Sequence, residues 1–350
     1  MPTHEQLIRA NVRRMQGYTP GEQPTDPAII KLNTNECPYP PSPRVREALA
    51  AYATDSLRLY PDPVCKDVRR AIADLHHCDM EQVFFGNGSD EILRLCAEAF
   101  VENDGVIGFF DPSYSLYPVL TQIRDARALP TPLNHALDWP NPDPTATDLF
   151  FLTNPNAPGG RHYPAAQVEA FCRQARGVVV IDEAYVDFAE FNCTHLALTL
   201  PNTLALRTLS KSYSLAGLRA GYAIGPAPLI AAMYKIKDSY NVNRLTQILA
   251  LAGINDREYM LAQTARIKQT RQRLAEALTQ MGWEVWPSAA NFLWVAPPEP
   301  GAARLYELLK ERGILVRYFP GPRTGANLRI SIGTDAQTDR LLETLRALGL

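Results

Sequence analysis

A lysine that follows a serine stands eight residues before an arginine, in the run from Leu209 to Gly221. The run comes after an apolar stretch, so we expect Lys211 where a strand gives way to a loop. A partly dry pocket at such a place lowers the pKa of an amine and makes it a nucleophile. Ser210 and Arg219 could hold a phosphate, the arginine through paired hydrogen bonds. On this run alone, a lysine in an ordinary surface loop explains the pattern equally well.

Four β-branched residues, Val178 to Ile181, precede Asp182 and predict a strand that is buried on both faces of a parallel sheet. A carboxylate at the carboxyl end of such a strand lies where open α/β sheets bind ligands. Asp182 could pair with the pyridine nitrogen of pyridoxal 5'-phosphate (PLP) and keep the ring an electron sink. Tyr185 could donate to the ring hydroxyl. The alternative is a helix-capping aspartate with a packing tyrosine.

A Gly-x-Gly turn follows the apolar pair Phe84-Phe85 and leads into an amphipathic run that predicts a helix. Free backbone N–H groups at a helix start form an anion site, and glycine permits close approach. Gly88 and Ser89 are therefore candidates for the cofactor phosphate. The alternative is a plain turn with a capping serine. The third glycine of a nicotinamide fingerprint is missing, which argues against a dehydrogenase.

Asparagine and proline alternate after the apolar run Phe151-Leu152. The residue before a proline is restricted to extended conformations, and one of the X-Pro bonds could be cis. The side chain of Asn154 or Asn156, held in this loop, could hydrogen-bond the ring oxygen of the cofactor. An ordinary surface turn is the alternative.

Taken together, these runs resemble the fold type I PLP enzymes, specifically the class II aminotransferases and most closely the histidinol-phosphate aminotransferases. The resemblance covers nearly the whole chain. The matching runs are Gly17–Gly21, Leu32–Tyr39, Leu59–Asp62, Gly86–Glu91, Pro112–Tyr117, Asp182–Tyr185, Ser210–Arg219 and Leu328–Gly333.

The resemblance implies a role for each matching residue. Lys211 corresponds to the lysine that binds PLP covalently and moves the proton, Asp182 to the partner of the pyridine nitrogen, and Tyr185 to the residue that faces the ring oxygen. The other implied roles are phosphate binding by Gly88, Ser89, Ser210 and Arg219, ring stacking by Tyr114, contact with the cofactor phosphate of the second subunit by Tyr60, and substrate binding by Arg329, Arg317, Tyr18 and Asn35.

The chain departs from the family pattern at Ala157, where an asparagine usually bonds the ring oxygen. Alanine cannot make that bond. A local shift of Asn154 or Asn156 could replace it, or Tyr185 could serve alone. The lysine that transfers the proton is unaffected. We therefore expect altered electronic properties of the bound cofactor and not a different reaction.

The resemblance implies a homodimeric enzyme that converts histidinol phosphate and 2-oxoglutarate to imidazole acetol phosphate and glutamate, a step of histidine biosynthesis. An aromatic-amino-acid aminotransferase and a PLP-dependent threonine-phosphate decarboxylase share the scaffold and stay open as alternatives. A catalytically idle PLP-binding protein is a third alternative, and the intact Lys211, Asp182 and Tyr185 argue against it.

Composition fits a cytoplasmic enzyme. A chain of 350 residues can bury a large core and divides readily into two units. The net charge of -2 gives no reason to expect a nucleic-acid partner. The chain starts without an apolar signal segment, and no apolar run approaches the roughly 20 residues of a membrane helix. The six cysteines lack a CxxC pair, and adjacent side chains in His76-His77-Cys78 diverge, so neither a disulfide framework nor a metal site is expected.

Alternating strands and helices predict an α/β fold, with a large PLP-binding domain of mainly parallel sheet flanked by helices and a smaller α/β C-terminal domain. We divide the chain into an N-terminal helix and arm (1–30), a large domain (31–250) and a small domain (251–350) that packs with the arm. The predicted strands are Val83–Phe85, Val106–Phe109, Phe150–Thr153, Val178–Asp182, Thr203–Arg207, Ala220–Ile224, Glu284–Trp286, Asn291–Val295, Leu315–Tyr318 and Leu328–Ile332. The predicted helices include Glu5–Met15, Arg257–Met281 and Thr338–Leu348, and the proline-rich stretch Ala128–Thr147 is predicted to be a loop.

Overall fold

The computed structural model describes residues 3–350. Thirteen strands lie in these residues: β1 Ile30–Lys31, β2 Val83–Gly86, β3 Val106–Asp111, β4 Arg127–Pro132, β5 Leu149–Thr153, β6 Val178–Asp182, β7 Thr203–Thr208, β8 Gly221–Ile224, β9 Glu284–Val285, β10 Phe292–Ala296, β11 Ile314–Leu315, β12 Arg317–Tyr318 and β13 Leu328–Ser331.

The same residues form twelve α-helices: α1 Ala10–Arg14, α2 Pro43–Ala50, α3 Lys66–His76, α4 Ser89–Phe100, α5 Leu116–Arg124, α6 Ala165–Gln174, α7 Thr194–Thr199, α8 Ala227–Ile236, α9 Arg244–Ile254, α10 Arg257–Gln280, α11 Ala302–Glu311 and α12 Asp335–Ala347. Short 3₁₀ helices span His4–Leu7, Thr54–Arg58, Met80–Gln82, Val186–Phe188 and Ala216–Leu218. No helix among residues 3–350 is both long and apolar enough to cross a membrane.

A seven-stranded sheet in the order β2-β8-β7-β6-β5-β3-β4 forms the centre of the fold. Strands β3 to β7 run parallel to one another, and β8 is antiparallel to both β2 and β7. Successive side chains of a strand point to opposite faces. In β5, Phe151 packs into a cluster with α4, α5 and α8, whereas Phe150 and Leu152 pack into a cluster with α6 and α7. Helices therefore cover both faces, which confirms the predicted fold class.

The register of the parallel strands brings polar residues to one edge of this sheet. Thr153 at the end of β5 lies opposite Asp182 at the end of β6, and Asp182 lies opposite Leu206 near the end of β7. Lys211 follows the end of β7 by three residues. The carboxyl edge of β5, β6 and β7 thus collects the residues that the sequence singled out.

The C-terminal part of the chain contains an antiparallel four-stranded sheet in the order β12-β13-β10-β9. Its core is formed with α10, α11 and α12. Strand β1 pairs in parallel with β11, so the N-terminal segment is joined to this part of the chain. The division at residues 30 and 250 remains a prediction.

Three predicted elements differ from the structure. The stretch 128–147, predicted to be a loop, begins with the edge strand β4, whose side chains are mostly exposed and which contains two prolines, so it carries no periodic burial signal. The single strand predicted for Leu315–Tyr318 is two strands, because β11 pairs with β1 and β12 pairs with β13. The helix predicted for Glu5–Met15 divides into the 3₁₀ helix His4–Leu7 and α1.

Candidate active site

A cavity of ≈ 420 Å³ lies at the carboxyl edge of the large sheet and is also lined by Arg317 and Arg329 of the small sheet. Most residues that the sequence singled out line it. These are Tyr18, Asn35, Ser89, Tyr114, Asp182, Tyr185, Ser210, Lys211, Arg219, Arg317 and Arg329.

The Lys211 amine lies inside the cavity. Its Nζ donates a hydrogen bond to the backbone oxygen of Thr34 at 3.2 Å and lies 5.7 Å from the centre of the Tyr185 ring. Burial, helped by the positive charge of Arg329, lowers the pKa of Lys211 to about 8. At pH 7 about one tenth of amines with this pKa are neutral, against roughly one in 3,000 at the ordinary value of 10.5, and the neutral form is the one that acts as a nucleophile or base.

The Asp182 carboxylate forms the floor of the cavity and is buried. Its Oδ2 accepts a hydrogen bond from the Tyr117 hydroxyl at 2.7 Å, and its Oδ1 accepts one from the Ala184 N–H at 3.1 Å. Burial raises the pKa of Asp182 to about 6, although these hydrogen bonds work in the opposite direction. A carboxylate held this way is well suited to pair with a buried cation such as a protonated pyridine.

Tyr117 is a functional residue that sequence reasoning missed. Its hydroxyl lies 2.7 Å from both Asp182 Oδ2 and Thr153 Oγ1, and its ring stacks on Phe151 at 4.8 Å. The only sequence signal was its place at the end of the matching run Pro112–Tyr117, in which the resemblance implied a role for Tyr114 alone. The contact with Asp182 depends on how α5 packs against β5, which spacing alone does not specify.

The N-terminal end of α4 faces the antiparallel strand β8 and forms a polar concavity. Gly88 has φ +86°, and a Cβ at this position would lie 2.8 Å from Arg219 Nη2. Arg219 in turn contacts Asp90 Oδ2 at 3.1 Å, and Ser210 Oγ accepts a hydrogen bond from Thr208 Oγ1 at 3.0 Å. Ser89, Ser210 and Arg219 line the cavity beside the start of α4. Hydroxyls, a guanidinium and the first N–H groups of a helix together suit a phosphate.

Arg317 and Arg329 approach the cavity from the small sheet. The Arg329 guanidinium lies 5.4 Å from the Phe292 ring and 5.2 Å from the Phe319 ring, and Arg317 lies 5.1 Å from the same Phe319 ring. Arg329 Nη2 donates to the Asn33 oxygen at 3.0 Å, whereas its buried Nε has no hydrogen-bond partner among residues 3–350. Burial lowers the pKa of Arg329. Because Arg329 also lines the cavity, its positive charge indicates a site for an anionic ligand there.

Arg317 keeps its guanidinium near the surface and donates to the Pro20 oxygen at 3.3 Å and the Thr19 oxygen at 3.1 Å. Neither Arg317 nor Arg329 is paired with Glu307 or Glu311, the partners that two surface arginines of this region could have. Within the described part of the chain, neither has a carboxylate within 4.0 Å, and Glu311 contacts other arginines.

The side chains of Asn154 and Asn156 do not face the cavity, in contrast to the expectation from sequence. Asn154 exchanges two hydrogen bonds with the backbone of Tyr163, at 3.2 and 2.8 Å. Asn156 Oδ1 accepts from the Gly159 N–H at 3.3 Å, and its Nδ2 donates to the Pro112 oxygen at 3.4 Å. Both amides are used by nearby backbone groups, those of Asn154 within its own loop and those of Asn156 in its own loop and at Pro112. The loop contains cis bonds before Pro155 and Pro158. Ala157 and Pro158 line the cavity in their place.

Tyr60 also lies outside the cavity in the single chain. Its side chain is 76% exposed and stacks on Tyr240 with the ring centres 4.3 Å apart. Exposure at this level agrees with a residue that reaches a second subunit, a role that remains a prediction.

A family model for class I and II aminotransferases matches residues 27–345. The histidinol-phosphate aminotransferase of Synechocystis sp. is 44% identical over 343 residues, which cover 97% of this chain and 98% of the relative. That of Geotalea daltonii is 42% identical, with 98% and 99% covered. The chain belongs to the class I and II aminotransferases, in the histidinol-phosphate aminotransferase family. The resemblance predicted from the sequence motifs is confirmed, and the protein is a PLP-dependent transaminase.

Solved structures agree with this family. The structure of histidinol-phosphate aminotransferase from Sinorhizobium meliloti in complex with pyridoxal-5'-phosphate has a TM-score of 0.83 and 26% identity, covering 91% of this chain and 92% of that one. L-threonine-O-3-phosphate decarboxylase from Porphyromonas gingivalis has a TM-score of 0.82 at 21% identity, covering 91% and 99%. At that identity the likeness shows the fold alone.

The residues of the cavity fit PLP. The concavity at Gly88 and Arg219 can receive the phosphate, and the space there would be reduced by any Cβ at Gly88. The Lys211 amine and the Asp182 carboxylate line the same cavity, as the aldehyde and the pyridine nitrogen of one cofactor require.

Proposed function

We propose that this enzyme transfers the amino group of histidinol phosphate to 2-oxoglutarate, giving imidazole acetol phosphate and glutamate. The observation that carries the proposal is the pair Arg317 and Arg329, which line the same cavity as Lys211 and lack carboxylate partners among residues 3–350. The names of the relatives support the same substrate.

Two adjacent guanidinium groups suit the two substrates of this reaction. Histidinol phosphate carries a phosphate dianion and no α-carboxylate, whereas glutamate carries two carboxylates. One pocket that accepts both in turn needs at least two cationic anchors. Arginine suits either anion because its planar fork donates two parallel hydrogen bonds.

Each residue around the cavity would have its own role in the reaction. PLP, when bound, supplies the electron sink that stabilises negative charge at the substrate α-carbon. The Lys211 amine would take the proton from that carbon and deliver it to C4′ of the cofactor, and its lowered pKa favours this role as a base near neutral pH. Asp182 holds the compensating negative charge at the cavity floor, and Tyr114 forms an aromatic wall of the cavity.

A panel of amino donors tests the substrate. Purified PLP-loaded enzyme is assayed for glutamate formation from 2-oxoglutarate with histidinol phosphate, phenylalanine, tyrosine and threonine phosphate, and for carbon dioxide release from the last. We expect kcat/KM to be highest for histidinol phosphate by about 100-fold or more, because the phosphate contacts add charge-assisted hydrogen bonds. A preference for phenylalanine or tyrosine, release of carbon dioxide, or no transfer from any donor would each overturn the proposal.

We also propose that the enzyme is a homodimer in which Tyr60 of one subunit approaches the cofactor phosphate of the other. Support comes from the exposure of Tyr60 and of two nearby apolar side chains, Leu57 at 55% and Leu59 at 51%, which would form an unusual apolar surface on a monomer. Sedimentation velocity measures the oligomeric state, and a stable monomer at micromolar concentration would contradict this proposal.

We propose a cytoplasmic location. All six cysteines have free thiols, in line with a reducing compartment. Recovery of the native enzyme in a membrane or periplasmic fraction of its host would contradict this location.

A further inference from the structure

Three consecutive residues of the N-terminal segment each contact a different functional side chain. The Asn33 oxygen accepts from Arg329 Nη2 at 3.0 Å, the Thr34 oxygen accepts from Lys211 Nζ at 3.2 Å, and Asn35 Nδ2 donates to the Tyr185 hydroxyl at 3.0 Å. Only the last contact uses a side chain, so the residue type at position 35 matters most.

The direction of the Asn35 contact is fixed by Ser331 on β13. The Ser331 Oγ accepts a hydrogen bond from the Asn35 backbone N–H at 2.9 Å and lies 2.8 Å from Asn35 Oδ1. A hydroxyl that accepts from the N–H can use its own proton for the neighbouring oxygen. Asn35 Oδ1 is therefore the acceptor, and Nδ2 is left to donate to Tyr185.

This order leaves the Tyr185 proton free. Since the Tyr185 oxygen accepts from Asn35 Nδ2, its own O–H has to find another acceptor. The Tyr185 ring also has apolar neighbours that offer no acceptor, with Phe292 in edge contact at 5.0 Å and Ala157 in the same cluster. Among the described residues 3–350, Asn35 is the only hydrogen-bond partner of the Tyr185 hydroxyl. Tyr185 lines the cavity, so its O–H is available to a ligand there.

The backbone holds Asn35 in place for this task. Asn35 has φ +55°, a left-handed conformation that asparagine tolerates better than most residues. Its backbone oxygen accepts from Asn291 Nδ2 at 2.9 Å, and its side chain is buried. Because both its backbone and its amide orientation are fixed, Asn35 keeps Nδ2 directed at the Tyr185 hydroxyl.

We propose that Asn35 is a positioning residue that makes Tyr185 a hydrogen-bond donor to the ring oxygen of PLP, and that Ser331 sets the orientation of the Asn35 amide. Asn35 thereby acts through Tyr185 and not on the substrate. This inference rests on the cofactor site of the proposed function and is independent of which amino donor the enzyme prefers.

The isosteric substitution Asn35→Asp reverses the polarity of this contact. The new carboxylate still accepts from Ser331 and now accepts from the Tyr185 hydroxyl as well, which withdraws the donor from the ring oxygen. The measurement is the visible absorbance of the PLP-loaded enzyme against pH, without any amino donor. In the wild type, the hydrogen bond donated by Tyr185 stabilises the ionised ring oxygen. Its loss in Asn35→Asp should raise the pH at the midpoint of the absorbance change by about one unit or more.

The same substitution in a Tyr185→Phe background separates the hydrogen bond from the added charge. Other charged groups that face Tyr185, namely Lys211, Arg329, Asp182 and Asp90, are unchanged in every variant. We expect Asn35→Asp to shift the midpoint in the Tyr185→Phe enzyme by less than half of its shift in the wild type. Equal shifts in the two backgrounds, or no shift in the wild type, would overturn the proposal.

Substitutions at Ser331 provide a second test of the Asn35 orientation. They do not change charge, and they test the proposal even if Asn35→Asp fails to fold. Ser331→Ala removes the hydroxyl that orients the amide, and we expect the midpoint to rise in the same direction. Ser331→Thr keeps a hydroxyl and should restore the wild-type midpoint. Identical midpoints for the two Ser331 variants would overturn the proposal. Failure of the donor panel would leave these spectra unaffected, whereas an enzyme that does not bind PLP would show no visible band.

Discussion

Arg317 on β12 lies directly opposite Arg329 on β13 in the antiparallel register, so both side chains leave the same face of the small sheet. They share one aromatic neighbour, Phe319, whose ring lies 5.1 Å from the first guanidinium and 5.2 Å from the second. Two like charges in this arrangement repel each other, and burial lowers the pKa of Arg329 further. An anion placed between them removes that unfavourable interaction, which makes the pair a site for phosphate or carboxylate.

Arg317→Ala should weaken the use of a phosphorylated donor more than the use of an aromatic donor. Loss of a charge-assisted hydrogen bond costs about 1.5–3 kcal/mol, so kcat/KM for histidinol phosphate should fall roughly 10- to 150-fold. The value for phenylalanine should change by less than about 5-fold, and Arg329→Ala should reduce the glutamate reaction strongly. Arg304→Ala, at an exposed arginine of α11, is the matched control. Equal losses for both donors after Arg317→Ala would assign Arg317 to folding or to the cofactor.

Lys211→Ala should abolish turnover and leave the fold intact. Lys211 is the only lysine among residues 3–350 that lines the cavity, and general-base catalysis contributes about 10²–10⁴-fold, so kcat should fall by at least about 10²-fold. PLP should still bind through its phosphate and ring contacts, without the absorbance band of the covalently bound cofactor. Lys235→Ala, at an exposed position of α8, should behave as the wild type. Near-normal transamination by Lys211→Ala would refute the assignment.

Asp182→Asn should stabilise the cofactor-free enzyme at neutral pH. Burial raises the pKa of Asp182 from 3.8 to about 6, so the folded protein binds this proton more tightly than the unfolded chain does. The resulting loss of free energy of unfolding is fully present above pH 6 and disappears as the pH falls toward 3.8. It amounts to about 1–3 kcal/mol, since one pKa unit corresponds to about 1.4 kcal/mol.

Thermal unfolding of the cofactor-free enzyme as a function of pH measures this effect. The Tm of Asp182→Asn should exceed that of the wild type by several degrees at pH 7.5, and this difference should vanish near pH 4. The variant should also bind PLP more weakly than the wild type does. Asp74→Asn, at an exposed position of α3, is the control. A wild type that is the more stable of the two at pH 7.5 would contradict the burial argument.

Mixed dimers of Tyr60→Phe chains and Lys211→Ala chains should regain activity. If Tyr60 acts across the interface, one site of the hybrid combines an intact Lys211 with an intact Tyr60, and the other site carries both changes. The hybrid should then reach about half of the wild-type rate at limiting PLP, well above either parent. The phenyl ring of Tyr60→Phe keeps the stacking on Tyr240, so the local fold is preserved. A hybrid with no more than half the rate of the Tyr60→Phe dimer would place Tyr60 and Lys211 in the same subunit's site.

Sequence reasoning located the parts of the site that depend on strand ends. The β-branched run before Asp182 and the apolar run before Lys211 both predicted buried parallel strands, and strands of this kind bring their carboxyl ends to one edge. The glycine turn before Ser89 predicted the start of α4 for the same local reason. Periodicity and chain direction are sufficient for these predictions.

Loop side chains were beyond that reasoning. Asn154 and Asn156 carry the right chemistry, but their amides bond to backbone groups around their loop, and a sequence pattern does not show where an amide finds its partners. Strand β4 was missed because an exposed edge strand with prolines lacks alternating burial.

The sequence by itself determined the α/β layering, the lysine and aspartate of the site, and the family, because each depends on short-range patterns of residue type. Only the tertiary structure decided which residues orient them. Tyr117 reaches Asp182 because α5 packs against β5, and Asn35 reaches Tyr185 because the N-terminal segment crosses to the small sheet and meets Ser331. Contacts between residues separated by 65 and 150 positions depend on how the elements pack, and packing is a property of the whole fold.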